Sequence, residues 1–296
     1  MIELSAEVAA AVEAGRAVVA LETTLVAHGF PQGEGLGVAL SAEARVRDAG
    51  AVPATVGVID GVVRAGLSAE ELERFADAGE SARKAGPRDL AVCVADGSLG
   101  ATTVGGTLVM CEVAGIRFLG TGGIGGVHRG FAERPDVSAD LGALARAPVL
   151  VAASGVKSLL DVPATLELLE TLGVPVLGWQ TETLPLFYAA EGGPRLPASV
   201  ATASEAAAVA RAHWSLRRAG LLLAQAPAES LDVEPLIEAA LAAASGQEIT
   251  GQAVTPFVLA HIHRETGGES VRINKQLIAH NAGLAAEVAV AYSQRS

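Results

Sequence analysis

The stretch APVLVAASGVKSLLD, residues 147–161, places a lysine, Lys157, just past an apolar run of the kind that fills a buried strand. Similar short runs recur along the chain in AVVALET, ATVGVIDGVV, LAVCVAD, IRFLGTG, PVLGWQT and LLLAQAP. Between them lie helical patterns. SAEVAAAVEAGR reads as a helix with Ser5 as N-cap, because a serine hydroxyl accepts a hydrogen bond from an unpaired first-turn N–H. GEGLGVALSAEARVRDAG reads as an amphipathic helix closed by Gly50, SAEELERFADAG opens with a helix-start pattern, and TTVGGTLVMCEVAG leads into the IRFLGTG strand. SVATASEAAAVARAHWSLRRAG reads as one long helix, and the chain from about Ser230 to Ser296 as mostly helical with a break at TGGES. Short apolar strands separated by helices predict an α/β fold. The expectation is a single domain over residues 1–296, with a central mixed or mostly parallel sheet flanked by helices.

In open α/β sheets, ligands gather outside the carboxyl ends of the strands. That rule selects Glu22, the glycines after Leu119, Ser154 to Lys157, and Gln180 to Glu182.

Composition narrows the function. Half of the 296 residues are hydrophobic and 18% are charged, which excludes a disordered chain. No apolar run approaches the roughly 20 residues of a membrane span. The N-terminus MIELSAEVAAAVEAGRA has acids where a signal peptide has bases, which argues against secretion. Cys93 and Cys111 lack metal-ligand spacing and read as buried thiols in a reducing cytoplasm. A net charge of −12 without basic clusters argues against nucleic acid as a partner, while an anionic small molecule needs only local positive potential. Of 21 basic residues only Lys84, Lys157 and Lys275 are lysines. Only lysine offers an amine able to lose its proton and attack a carbonyl, so these positions come first.

Four segments carry candidate chemistry. In ALETTLVAHGFPQG, Glu22 ends a strand, where burial would keep a carboxyl protonated as a general acid; a solvated or helix-capping glutamate is the bland alternative. His28 is a possible substrate ligand or a structural histidine. Residues 97–130, with GSLGATTVGGTLVM and GTGGIGGVHRG, hold 11 of the 34 glycines. There GATTV running into a helix offers backbone N–H groups and the Thr102 and Thr103 hydroxyls to a phosphate. Lys84 would add a point charge for a phosphate, or is an ordinary surface lysine. ERPDVSADL holds Asp136 and Asp140, four apart, which suit a hard divalent cation; the segment also fits a helix N-terminus, and from the residues alone the cap is the preferred reading. In SGVKSLLD, Lys157 is either a desolvated nucleophile or an amine that reaches back to water.

Taken together, ALETTLVAHGFP, GAVPATVGVIDG, LGATTVGGTLVM, TGGIGGVHRG, DVSADL, SGVKSLLD, GVPVLGWQT and VTPFVLA resemble the pseudouridine-5′-phosphate glycosidase family, also described as indigoidine synthase A-like proteins. The resemblance runs from about Glu22 to Asn281. It implies an enzyme of the cytoplasm that acts reversibly on the C–C bond between uracil C5 and ribose C1′ of a phosphorylated C-nucleoside. It further implies Lys157 as nucleophile and Glu22 as proton donor, with Mn²⁺ or another divalent cation such as Mg²⁺ on Asp136. Substrate contacts would come from Lys84, Thr103, Val104, Ser138, Ala139 and Asp140. His128 and Asn281 are either substrate contacts or structural hydrogen-bonders. A homotrimer is implied as well. One departure is local: the family usually has Ser-Arg shortly after the lysine, where this chain has Gly86-Pro87. Two other readings share parts of this set. A Schiff-base aldolase on a phosphosugar needs the lysine and the phosphate site but no uracil recognition, and a non-catalytic phosphosugar-binding regulator needs neither Lys157 nor Glu22.

Overall fold

The computed structural model describes residues 2–133, 135–216 and 219–294. Its strands, in chain order, are β1 Ile2–Leu4, β2 Val18–Glu22, β3 Val52–Ile59, β4 Val62–Ala65, β5 Arg83–Ala85, β6 Gly100–Thr102 and β7 Phe118–Gly120. They continue with β8 Val127–His128, β9 Leu150–Ala153, β10 Leu160–Asp161, β11 Val176–Trp179, β12 Ala198–Val200 and β13 Leu221–Gln225. Eleven of them form one sheet with the main order β1-β4-β3-β2-β7-β9-β13-β11-β12, and β6 joins β3 to β5. The pairings are parallel except β3 with β4 and β3 with β6. β8 and β10 form a separate antiparallel pair. The expected mostly parallel sheet flanked by helices is what the chain forms.

The apolar runs are explained by burial on both faces, as parallel strands require. Val18 and Ala20 of β2, Val151 and Ala153 of β9, and Leu222 and Ala224 of β13 point into one core cluster. The Ala6–Glu13, Val104–Ala114 and Ala139–Leu144 helices cover that side through Val8, Leu108 and Leu141. The alternate residues Val19, Leu21, Leu150, Ala152, Leu221 and Leu223 enter a second cluster. The Gly35–Asp48, Ala203–Leu216 and Glu269–Ser293 helices cover it through Val38, Ala206 and Ala282. The last of these presses so close that a Cβ on Gly120 would lie 2.6 Å from the Ala282 Cα. No helix among the described residues is long and apolar enough to cross a membrane.

Three local readings change. LAVCVAD is a helix, Leu90–Asp96, and not a strand. Leu90 and Cys93, three residues apart, are buried while Val92 and Val94 are exposed, and left-handed Gly97 stops the helix. The ATVGVIDGVV run is a hairpin rather than one strand, since Asp60 (φ 53°) and Gly61 (φ 77°) turn the chain between β3 and β4. The long helix of residues 199–220 starts only at Ala203, because Ala198–Val200 pairs with β11. Arg134, Arg217, Arg218, Arg295 and Ser296, which fall within predicted segments, lie outside the described residues.

Candidate active site

The site is built where β2, β7 and β9 end side by side. Beyond β7 and β9 the backbones stay paired: Thr121 N–H donates to Ala152 O, Ser154 N–H to Gly122 O, Ile124 N–H to Gly155 O and Lys157 N–H to Ile124 O. The glycine run after β7 thus lies along SGVK, and the bond at Lys157 fixes the backbone of that lysine. Gly155 has φ +74°, and a Cβ there would lie 2.2 Å from Pro185 O, so the turn before Lys157 accepts only glycine.

Glu22 follows Val18 and Ala20 by the strand period of two and so faces the same side of the sheet. Its side chain is buried and accepts a 2.5 Å hydrogen bond from Thr121 Oγ1. Burial pushes its pKa up to about 7, opposed by the positive charges of Lys157 and Lys84 and by the Thr121 hydroxyl, and assisted by Asp140. Lys84, on β5, is held below the ordinary lysine range by burial and by Lys157, with Asp140 and Glu22 acting the other way. His128 is likewise lowered, first by burial, and Lys84 and Lys157 add to the effect while Asp136 opposes it. Glu22, Lys84, His128, Asp136, Asp140 and Lys157 therefore share one electrostatic environment, although residues 22 and 157 lie in different thirds of the chain.

Asp140 is a buried carboxylate that accepts from two backbone amides: Gly105 N–H at 2.7 Å through Oδ1 and Gly125 N–H at 2.9 Å through Oδ2. It ties the start of the Val104–Ala114 helix to the glycine run. The N-terminus read as a phosphate cradle is thus partly filled by the chain itself: Asp140 takes Gly105 N–H, and the Thr103 hydroxyl caps Gly106 N–H at 3.2 Å. Thr102 is buried and donates to Val56 O, which leaves its hydroxyl in the scaffold. Asp140→Asn, with one acceptor oxygen instead of two, leaves one buried N–H unpaired. We expect it to lower unfolding free energy by about 1–3 kcal/mol, measured by denaturant titration.

Ser138 caps the Ala139–Leu144 helix by accepting from Asp140 N–H, and Ala139 is exposed at its first position. Asp136 lies on the preceding segment, half-buried, with its Oδ2 3.8 Å from His128 Nδ1. Among the described residues no three His, Cys, Asp or Glu side chains converge as a ready-made cage. One carboxylate with a histidine beside it matches a hard cation that keeps several waters and takes further oxygens from a phosphorylated substrate. The residues fit a metal of that kind.

Asn281 is buried on the Glu269–Ser293 helix, and its Nδ2 donates to Thr121 O (2.8 Å) and to Ser154 Oγ (3.1 Å). It braces two of the strand ends, and its Oδ1 has no hydrogen-bond partner among the described residues. His28 binds Ala82 O through Nε2 at 3.0 Å, beside the strand of Lys84. At Gly86-Pro87, Asp89 closes the turn by accepting from Gly86 N–H at 3.0 Å, and Pro87 would touch any Cβ added at Gly105. The departure from the family pattern is accommodated by packing against the next site segment. Gln180 and Glu182 spend their polar groups locally, on Ala201 O and Arg195. Thr121 is the contact that sequence reasoning did not single out; its signal was only a hydroxyl within the glycines after Leu119.

A family model described as indigoidine synthase A like protein matches residues 7–291. A pseudouridine-5′-phosphate glycosidase of Chloroflexus aurantiacus is 48% identical over 99% of this chain and 99% of its own. One from Roseiflexus sp. is 51% identical over 98% and 95%. Among solved structures, the prealnumycin C-glycosynthase AlnA in complex with ribulose 5-phosphate is 37% identical, covers 99% of this chain and 97% of its own, and superposes with a TM-score of 0.89. An indigoidine synthase A-like protein from Thermotoga maritima is 34% identical over 99% and 97%, also with a TM-score of 0.89.

Proposed function

From a chain that belongs to the indigoidine synthase A-like protein family, we infer an enzyme that reversibly cleaves the C–C glycosidic bond of pseudouridine 5′-phosphate, giving uracil and ribose 5-phosphate. The observation that carries the residue roles is the buried Glu22, titrating at about 7 in the field of the Lys157 amine. A carboxyl that keeps its proton near neutrality is a general acid, and a lysine beside it is a nucleophile for a sugar carbon.

A C-glycoside has no nitrogen leaving atom, so the ribose ring opens first. Glu22 gives its proton to the ring oxygen as the C1′–O bond breaks. The uracil ring, losing its N1 proton, supplies the electrons for a C5=C1′ double bond. The Lys157 amine adds to C1′ and returns that pair to the ring, which regains a proton at N1. Protonation at C5 then accompanies breakage of the C1′–C5 bond, the nitrogen pair forming an imine between Lys157 and C1′. Water hydrolyses the imine, releasing ribose 5-phosphate and the free amine. Arginine would fail here because its guanidinium keeps its proton. Lys84 would meet the phosphate, with Val104, Thr103 and the Ser138–Asp140 segment shaping the pocket and His128 at its rim. Asp136 would hold Mn²⁺ or Mg²⁺, which when bound supplies positive charge to the phosphorylated substrate.

The likeness to a C-glycosynthase favours a second reading of the same site, C–C bond formation onto a different acceptor. The two are separated by substrate. Incubated with pseudouridine 5′-phosphate and Mn²⁺, the protein is expected to release uracil and ribose 5-phosphate in equal amounts, measured by mass spectrometry. Chelation should suppress the release, and Asp136→Asn should raise the Mn²⁺ needed to restore it. No release from folded protein with any of several divalent metals would sink the substrate assignment and leave the bond-forming reading to be tested with other acceptors.

A further inference from the structure

Lys157 stands in a short loop between β9 and β10, and the backbone on its C-terminal side has an unusual anchor. Arg129 follows His128, and its guanidinium donates to two carbonyls of that loop, Ser158 O at 2.7 Å through Nη2 and Leu160 O at 3.4 Å through Nε. The same guanidinium is gripped in two-point fashion by Glu234, Nη1 to Oε1 and Nη2 to Oε2, the latter at 3.0 Å. Glu234 opens the Glu234–Gly246 helix, whose Ile237 is anchored in the core. Leu160 N–H in turn donates to Lys157 O at 3.0 Å, and Leu160 pairs with His128 across β8 and β10. The loop is therefore fastened on one side by the glycine run, through Lys157 N–H to Ile124 O, and on the other by Arg129.

We propose that Arg129, clamped by Glu234, is a positioning residue that sets the Lys157 loop at the reach its amine needs. The inference rests on Lys157 being the nucleophile. The Arg129 and Glu234 side chains are 32% and 52% exposed. Ion pairs that open to water contribute little to folding, so the pair is a poor candidate for holding the fold together. Its two carbonyl bonds instead act on the few residues that carry the amine. A planar guanidinium can serve two carbonyls and a carboxylate at once, which a single ammonium cannot do with the same geometry. A misplacement of the reacting group by about 1 Å costs on the order of 10²-fold in rate.

The test is a comparison of Arg129→Ala, Arg129→Lys, Glu234→Gln and Lys157→Ala on pseudouridine 5′-phosphate, with Arg74→Ala, which breaks the exposed Arg74–Asp60 pair, as a control. The measurements are kcat, KM, the rate of borohydride trapping of ribose 5-phosphate, and the thermal midpoint. For Arg129→Ala we expect kcat and the trapping rate to fall together by on the order of 10²-fold, with KM within about threefold of wild type. The midpoint should move by only about 2–4 °C. Arg129→Lys should recover part of the rate, Glu234→Gln should lie between Arg129→Ala and wild type, and Arg74→Ala should match wild type. Wild-type kcat and trapping in Arg129→Ala, with Lys157→Ala inactive, would overturn the positioning role alone. So would a loss of rate that tracks unfolding in Arg129→Ala and is absent from folded Glu234→Gln. An active Lys157→Ala would instead overturn the reading on which the proposal rests.

Discussion

Lys157→Ala is expected to fold and to lose at least about 10³-fold in uracil release, a barrier increase of roughly 4 kcal/mol. Folding survives because what orders this loop is backbone: Lys157 N–H to Ile124 O, Leu160 N–H to Lys157 O, and the two carbonyls held by Arg129. None of these uses the amine, and the side chain is only half-buried. On the proposed mechanism activity fails because the remaining groups of the site cannot replace a nucleophile that becomes covalently joined to C1′. Lys84 is the nearest chemical substitute, but it sits on β5 and is carried by a different part of the sheet. Lys157→Arg is as informative as the alanine variant. It keeps the charge and loses the amine, so it should be as inactive. Recovery of rate by arginine would assign the position an electrostatic role instead.

Glu22→Gln has the second large effect. The amide has nearly the shape of the acid and can still accept from Thr121 Oγ1, so the strand end should be unchanged. Loss of the proposed proton donor is expected to cost about 10²–10⁴-fold in kcat. The pH dependence follows from the same group. Because Glu22 titrates at about 7 and the proposed mechanism needs it protonated, kcat/KM in wild type should fall as pH rises through about 7, and Glu22→Gln should lack that limb. Stability moves with it. The folded pKa lies above the ordinary value of 4.5, so the native state holds this proton more tightly than the unfolded chain does. That contribution is complete below pH 4.5 and is lost as pH rises to about 7. Above that, the buried carboxylate costs roughly 3 kcal/mol, and Glu22→Gln should be the more stable protein. Urea unfolding at pH 5 and pH 8 checks the sign: the variant gains on wild type at the higher pH. A constant difference between the two would remove Glu22 as the buried acid.

Much of this arrangement is legible in the sequence because parallel strands covered on both faces write themselves as unbroken apolar runs. AVVAL, FLG, VLVAA and LLLA could be placed, and with them the strand ends that hold Glu22, the glycine run and Lys157. The parts that escaped are fixed by contacts distant in the chain. β6 is only Gly100–Thr102, with little apolar signal, and exists because β3 and β5 lie on either side of it. β8 and β10 are two residues each and owe their pairing to the loops that Arg129 links. LAVCVAD is long enough for a strand or two turns of helix, and which of its apolar residues are buried decides the matter. Asp140 shows the same limit at the site. Its spacing from Asp136 fits a metal ligand or a helix cap, whereas its carboxylate bridges amides 35 and 15 residues away. Thr121 was hidden because a hydroxyl acquires its meaning only from the carboxyl it meets.

Covalent bonding of the Lys157 amine to the sugar is what distinguishes the proposed mechanism. It is tested most directly by incubating the protein with ribose 5-phosphate, reducing with borohydride, and locating the added mass by peptide mass spectrometry. With only Lys84, Lys157 and Lys275 in the chain, the assignment is unambiguous. A reduced pentose phosphate is expected on Lys157 alone, absent from Lys157→Ala. A stable adduct confined to Lys84 or Lys275, or none in a protein that turns over pseudouridine 5′-phosphate, would contradict it.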